Sequence, residues 1–317
     1  MMMKTIRSYI AFATLLVALS SAAASAREKL TLVLDWSINP DHAPLYVAKE
    51  KGYFREAGLD VTLIEPGDPN SPPRLVAAGR YDLAISYQPQ LHMQIDRGLP
   101  LVRVGTLVSA PLNSLVVLKN GPIKSIRDLK GRKIGYSVGG FEEALLRAML
   151  AKYGLKMSDV TLINVNFSLS PALMAGKVDA VIGAFRNFEL NQMDIEGRPG
   201  RAFFPEKEGV PPYDELIFVA NRKAVGDPRL PRFLKAVARG VAALRSDPQD
   251  SWKSFIKGRK KLNDELNRRA WRDTLPYFAD NPAALDSQRY QRFSAFMKAQ
   301  GLIKSIPPVG TYAIELK

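Results

Sequence analysis

The chain has 317 residues, no cysteine and two histidines, and its 45 Lys and Arg against 31 Asp and Glu give a formal net charge of +14. Zero cysteines exclude disulfides, thiolate metal sites, cysteine nucleophiles and a lipid anchor through cysteine. The length is ample for a large core in two lobes without staples, and the basic residues are scattered, with one cluster at 257–261 and no interleaved aromatic platform, which argues against nucleic acid as a partner.

The first segment reads as a secretory leader rather than as part of the fold. Lys4 and Arg7 form a basic start, Ile10 to Leu19 an apolar centre, and Ala24-Ser25-Ala26 a small-residue cleavage site. Cleavage after about Ala26 is expected. Removing the first 26 of 317 residues leaves 291, and losing Lys4 and Arg7 lowers the charge from +14 to +12. The apolar centre is short for a membrane span, and no later segment approaches the roughly 20 apolar residues a span needs. A soluble exported protein is expected.

Leu30 to Leu34 is an apolar run of strand length. It breaks into the loop Asp35-Trp36-Ser37-Ile38-Asn39-Pro40-Asp41-His42, after which a helical pattern runs from Leu45 to Ala57 and stops at Gly58. A strand ending in such a loop before a helix is where open α/β sheets bind ligands. Trp36 either faces that site or belongs to the core, and the polar residues either bind or cap the helix. Asp60 to Ile64 follows as a strand, Arg74 to Ala78 as a short helix, and Leu83 to Ser86 as a third strand. The β-α-β-α-β alternation implies a mostly parallel sheet.

The same text recurs. Ile134-Gly135-Tyr136 reads as a strand, Glu142 to Tyr153 as a helix, and Asp159-Val160-Thr161-Leu162-Ile163 repeats Asp60 to Ile64 word for word. Gly176 to Gly183 then parallels Gly79 to Ser86, with its strand expected over Val178 to Gly183. Two similar α/β lobes with a cleft between them follow. Leu115 to Leu118 and Leu216 to Ala220 flank the second lobe and are candidates for the crossovers, hence for a hinge. The boundaries are 1–26 for the leader, 27–114 for the first part of lobe one, 115–219 for lobe two, and 220–317 for a helical return to lobe one. Trp252 and Trp271 in that return are expected in the core.

The Asp35–His42 loop, Lys51-Gly52-Tyr53-Phe54 with Gly58-Leu59-Asp60-Val61, and Gly131-Arg132-Lys133-Ile134-Gly135 make the sequence resemble the periplasmic substrate-binding proteins of the thiamine-precursor branch (ThiY-like, NMT1/THI5-like). The phrases around Gly52 and Gly131 are shared with sulfonate, nitrate and taurine binders. The Asp-Trp loop, Gly183 to Leu190 and Pro212 to Leu216 point to the pyrimidine branch. The resemblance covers essentially the whole exported chain. It implies a type II periplasmic binding protein: two lobes, each a mostly parallel sheet with flanking helices, serving an ABC permease and ATPase as a monomer. It also implies a thiamine-related aminopyrimidine (formylaminopyrimidine or hydroxymethylpyrimidine) as ligand. The family includes a eukaryotic pyrimidine synthase that consumes its own histidine and carries a cysteine-rich iron motif. His42 falls at that histidine, but residues 211–219 hold no cysteine. Binding rather than catalysis is therefore expected, with no cofactor and no metal.

A flat, amine-bearing ring asks for aromatic faces and edge acceptors. Trp36 and Tyr87, each just past a strand, are candidates for the faces, and Glu189, just past the Val178–Gly183 strand, for the acceptor. Asp35, Asn39, Phe185, Asn187 and Tyr213 complete the set, with Asp214 and Glu215 as weaker candidates. His42 either bonds the ligand or holds its loop. Gly139 and Gly140 open a helix whose backbone N–H groups can approach a ligand, while Glu142 in its first turn opposes a bare anion. The competing binder, for a sulfonate, nitrate or another small nitrogenous solute, would use Ser137 or Arg186.

Overall fold

The computed structural model describes residues 26–316; apart from Ala26, the expected leader lies outside the described residues. The chain begins with β1 (Glu28–Val33), α1 (Ala43–Glu50), α2 (Tyr53–Glu56), β2 (Leu59–Ile64), α3 (Pro72–Ala77), β3 (Leu83–Ser86), α4 (Gln88–Asp96) and β4 (Leu101–Val108). It crosses through 109–112 into β5 (Asn113–Leu118), β6 (Lys133–Tyr136), α5 (Phe141–Lys152), β7 (Thr161–Asn164), α6 (Leu169–Met174), β8 (Ala180–Phe185), α7 (Glu189–Ile195) and β9 (Gly200–Phe203). It returns through 204–215 to β10 (Leu216–Asn221), then α8 (Arg229–Ser246), α9 (Pro248–Ile256), α10 (Glu265–Thr274) and α11 (Ser287–Ala299).

The strands form two five-stranded sheets of matching topology, β2-β1-β3-β10-β4 and β7-β6-β8-β5-β9. In each, three strands run parallel, the fourth pairs antiparallel with the third, and the fifth antiparallel with the fourth. The internal repeat is therefore a repeat of sheets. The identical pentapeptides lead into equivalent strands, though Asp159 ends a turn by accepting from Lys156 N at 2.7 Å whereas Asp60 pairs with Lys29.

Two sequence expectations change. The helix expected over Leu45 to Ala57 is two helices, because Gly52 adopts φ +81°, a left-handed value that breaks the ladder between them. Leu216–Val219, expected to end lobe two, lies in the first sheet between β3 and β4. Its residues are completely buried, as an inner strand covered on both faces requires. The links between the sheets are thus 109–112 and 204–215.

The helical return packs on lobe one. α8 buries Leu230, Phe233, Leu234, Val237, Val241 and Leu244 at helical spacing. Phe233 stacks on Phe54 at 5.4 Å. Gly240 lets α8 approach α1 closely, since a Cβ there would lie 2.3 Å from the Pro44 carbonyl oxygen. The return also reaches lobe two: Asn191 Nδ2 on α7 donates to Asp273 Oδ2 on α10 at 2.7 Å. Trp271 is buried and Trp252 half-buried, edge-on to each other at 5.3 Å. No helix among the described residues is long and apolar enough to cross a membrane.

Candidate ligand-binding cleft

Between the two sheets lies a cavity of about 30 Å³. Of the sequence-expected residues, Asp35, Trp36, Asn39, Tyr87, Phe185 and Glu189 line it. Asp41, Phe141, Glu142, Leu169, Gly183 and Phe188 line it as well. The wall from lobe one is built by the end of β1 and its loop. Asn39 starts a one-turn 3-10 helix over Pro40–His42: its Oδ1 accepts from Asp41 N at 2.8 Å, and its own N–H donates to His42 Nδ1 at 3.3 Å. A backbone N–H can only donate, so Nδ1 is the acceptor and the ring proton sits on Nε2. That Nε2–H donates to Asp35 Oδ1 at 2.9 Å, and the Tyr87 hydroxyl donates to Asp35 Oδ2 at 2.9 Å.

His42 is therefore a support behind Asp35. It is fully buried, with both ring nitrogens engaged, and does not reach the cavity. Of the two roles open to His42, holding the loop is the one its contacts match. Tyr87, expected to offer a free face, lies stacked on Phe141 of the opposite lobe at 4.8 Å and 16°. Trp36 is half-buried and edge-on to Phe167 at 4.6 Å.

Lobe two contributes two carboxylates. Glu142, in the first turn of α5, folds back to accept from Ser137 N at 2.7 Å. Room for it exists only because residue 183 is glycine: at φ +105° a Cβ would lie 2.3 Å from Glu142 Oε1. Glu189, at the start of α7, accepts from Phe185 N at 2.7 Å. Burial pushes Glu189 up to about 8, with the Phe185 N–H working the other way. Burial likewise pushes Asp41 up to about 6, against the neighbouring His42, and holds Glu142 well above the usual carboxylate range.

The other expected residues serve elsewhere. Asn187 is buried between the lobes, donating to Asp41 Oδ1 at 2.5 Å and to Thr274 Oγ1 at 2.7 Å. Gly139 N donates to Asn70 Oδ1 of lobe one at 2.8 Å, and Gly140 precedes α5 at φ +82° beside Met93. These loop glycines meet the opposite lobe and not the cavity. Tyr213 belongs to the crossover: its hydroxyl donates to Glu215 Oε2 at 3.1 Å, which also accepts from Leu112 N at 2.6 Å and Asn113 N at 2.8 Å. One carboxylate thus pins both linking segments together, and burial pushes it up to about 7. Arg186 is spent on Glu206 at 2.6 Å and on the Asn113 carbonyl at 3.1 Å, and the Ser137 hydroxyl on the Asn166 carbonyl.

Chemically, four carboxylates and an asparagine line the cavity and no lysine, arginine or histidine does. The aromatic and apolar remainder is suited to a flat ring, the carboxylates to its N–H donors. Phe188 lies within the Gly183 to Leu190 segment that points to the pyrimidine branch, and Glu142 is legible as a group opposed to anions. Asp41 belongs to the Asp35–His42 loop and Gly183 opens that same Gly183 to Leu190 segment, whereas Phe141 and Leu169 carry no separate signal in the sequence.

Comparison with known proteins places this geometry. The NMT1/THI5-like family matches residues 39–251. The chain is 52% identical over 317 residues to a provisionally named thiamine biosynthesis protein of Haemophilus influenzae, covering 99% of this chain and 100% of that one. It is 33% identical to the formylaminopyrimidine-binding protein of Halalkalibacterium halodurans, over 79% of this chain and 76% of that one. It is 28% identical to the 4-amino-5-hydroxymethyl-2-methylpyrimidine phosphate synthase THI13 of Saccharomyces cerevisiae, over 80% and 78%. The fold is that of the alkanesulfonate-binding protein SsuA of Xanthomonas axonopodis, with a TM-score of 0.71 at 19% identity over 91% of this chain and 99% of that one. A two-lobed binding-protein fold, matching sheets and a family match over most of the chain lead to one statement: the chain belongs to the NMT1/THI5-like family.

Proposed function

We propose that this protein is the periplasmic solute-binding component of an ABC importer and takes a thiamine-related aminopyrimidine into the cleft between its lobes. The observation that carries this reading is the cavity lining: aromatic walls with Asp35, Asp41, Glu142 and Glu189, and no cationic side chain. An aminopyrimidine presents an exocyclic amine and a ring nitrogen that takes up a proton, both of which a carboxyl-lined site can meet. A sulfonate or nitrate would find no cationic side chain in the lining, and Arg186 and Ser137 are committed to other partners. Glu189 accepts from the exocyclic amine.

The segments 109–112 and 204–215 act as the hinge, with Glu215 as its brace. The Asp41–Asn187 and Asn70–Gly139 hydrogen bonds hold the lobes together as in a loaded protein. The closed surface is what a membrane permease would read. Binding is favoured over synthesis of a pyrimidine because His42 is enclosed behind Asp35 and the chain has no cysteine for an iron motif. The name of a relative at 33% identity, a formylaminopyrimidine-binding protein, supports the same ligand class.

The test is a thermal-shift and calorimetric panel of formylaminopyrimidine, hydroxymethylpyrimidine, thiamine, taurine, an alkanesulfonate and nitrate. Ligand binding to the folded state raises the unfolding temperature. Stabilisation by a pyrimidine alone is expected; stabilisation only by an anion would refute the ligand class.

A further inference from the structure

A second concavity lies on the seam between the lobes, a groove of about 460 Å³ that shares Phe141 with the cleft. Its character is opposite to that of the cleft. Arg74 from α3 and Arg97 from the end of α4 line it, and no carboxylate does. Arg186, by contrast, is ion-paired with Glu206; Arg74 and Arg97 form no ion pair with a carboxylate among the described residues. Gln94 also lines the groove. It is 7% exposed and its Oε1 is buried with no hydrogen-bond partner. An unpaired buried amide oxygen costs about 1–3 kcal/mol, so the groove is short of one polar partner. Met93, Leu99 and Phe141 supply an apolar wall.

We propose that this groove is a second ligand site, for a phosphomonoester with an apolar body. Two free guanidiniums suit a phosphate carrying close to two negative charges. The Gln94 amide also carries two N–H donors, which can join the guanidiniums on the phosphate oxygens. The apolar body lies along Met93, Leu99 and Phe141.

The groove has walls from both lobes. Gly139 and Phe141 come from lobe two, the remainder from lobe one. The Arg97 guanidinium reaches across the seam, with Nη2 3.9 Å from where a Cβ on Gly140 would sit. Asn70 ties the rim on both sides, donating to the Ser137 carbonyl at 3.1 Å and accepting from Gly139 N at 2.8 Å. An occupant touching both walls favours the closed lobes. It therefore tightens binding in the cleft, and the cleft ligand tightens it by the same factor.

The experiment is calorimetry of the purified protein with phenyl phosphate and with inorganic phosphate, at ionic strength matched with chloride. Phenyl phosphate is expected to bind, inorganic phosphate about tenfold more weakly, and the Arg74→Ala/Arg97→Ala variant to lose at least about tenfold of the phenyl phosphate affinity. Both arginines are exposed, so the variant is expected to unfold at the parent temperature. Gln94→Leu is expected to weaken binding as well. No binding beyond that in chloride, or an unchanged affinity in the double variant, overturns the site; equal affinity for inorganic phosphate overturns the role of the apolar wall. This experiment needs no pyrimidine, so it stands or falls apart from the ligand assigned to the cleft.

Discussion

Replacing Glu189 by Gln separates the stability of the empty protein from its affinity for a ligand. The Glu189 carboxyl is buried, its one backbone donor outside its own helix turn is Phe185 N, and it is pushed from 4.5 up to about 8. The folded state therefore holds a proton that the unfolded chain has released between pH 4.5 and 8, and stability falls as pH rises through that window. Each tenfold change in proton affinity is worth about 1.4 kcal/mol, so by pH 7.5 the group costs the empty protein about 2–4 kcal/mol. Gln has the same shape and keeps an oxygen for Phe185 N, but carries no charge to desolvate. Glu189→Gln is expected to stabilise the ligand-free protein by about 2–4 kcal/mol at pH 7.5, some 5–10 °C in unfolding temperature, and hardly at all at pH 4. The same variant should bind an aminopyrimidine about tenfold or more weakly, because Glu189 can pass its proton to the ring nitrogen and then accept as a carboxylate, a charged hydrogen bond of about 1.5–3 kcal/mol that Gln cannot make. Urea unfolding at pH 4, 6 and 7.5, with calorimetry at pH 7.5, measures both effects. A variant no more stable than its parent at pH 7.5, or one with an unchanged slope between pH 5 and 8, would refute the account of a buried carboxyl kept protonated in the empty cleft.

Gly183→Ala should destabilise by about 2–4 kcal/mol in urea unfolding, since it forces a Cβ into φ +105° and against the Glu142 carboxylate 2.3 Å away. Asn187→Ala removes the donor that Asp41 meets across the seam, and solution scattering should show the ligand-free protein shifted toward an open form of larger radius. His92 is buried and held neutral, its pKa lowered to about 3, with Nδ1 against Ser294 Oγ at 3.1 Å and its ring stacked on Phe293. Below pH 6.5 the unfolded chain takes a proton that the folded ring refuses, so this group lowers stability by about 1.4 kcal/mol per pH unit as pH falls toward 3. His92→Phe should flatten that acid limb in a pH series of unfolding temperatures, at a pH-independent loss of about 1–2 kcal/mol from Gln88 Nε2 losing its acceptor and Ser294 keeping only Tyr312.

The amino-acid sequence by itself determined the two β-α-β-α-β units. Their signals are local: apolar runs of strand length, glycines at helix ends, and one pentapeptide used twice at nearly constant spacing. It also placed Asp35, Trp36, Asn39, Tyr87, Phe185 and Glu189 at the mouths of strands, and all six line the cavity. Tertiary structure decided what depends on distant partners. The β10 run Leu216–Asn221 reads as an apolar strand wherever it is placed, and only pairing with β3 and β4 assigns it to the first sheet. His42, Asn187 and Tyr213 have the chemistry of ligand groups, but folding gives each a protein partner first: Asp35, Asp41 and Glu215. Conversely Phe141 begins a helix with an ordinary amphipathic pattern, and it becomes a wall of the cleft because the opposite lobe sets Tyr87 against its ring. Helical and strand periodicities are properties of neighbours in the chain, whereas a cleft is made where two lobes meet, and the contacts across it have no period to read.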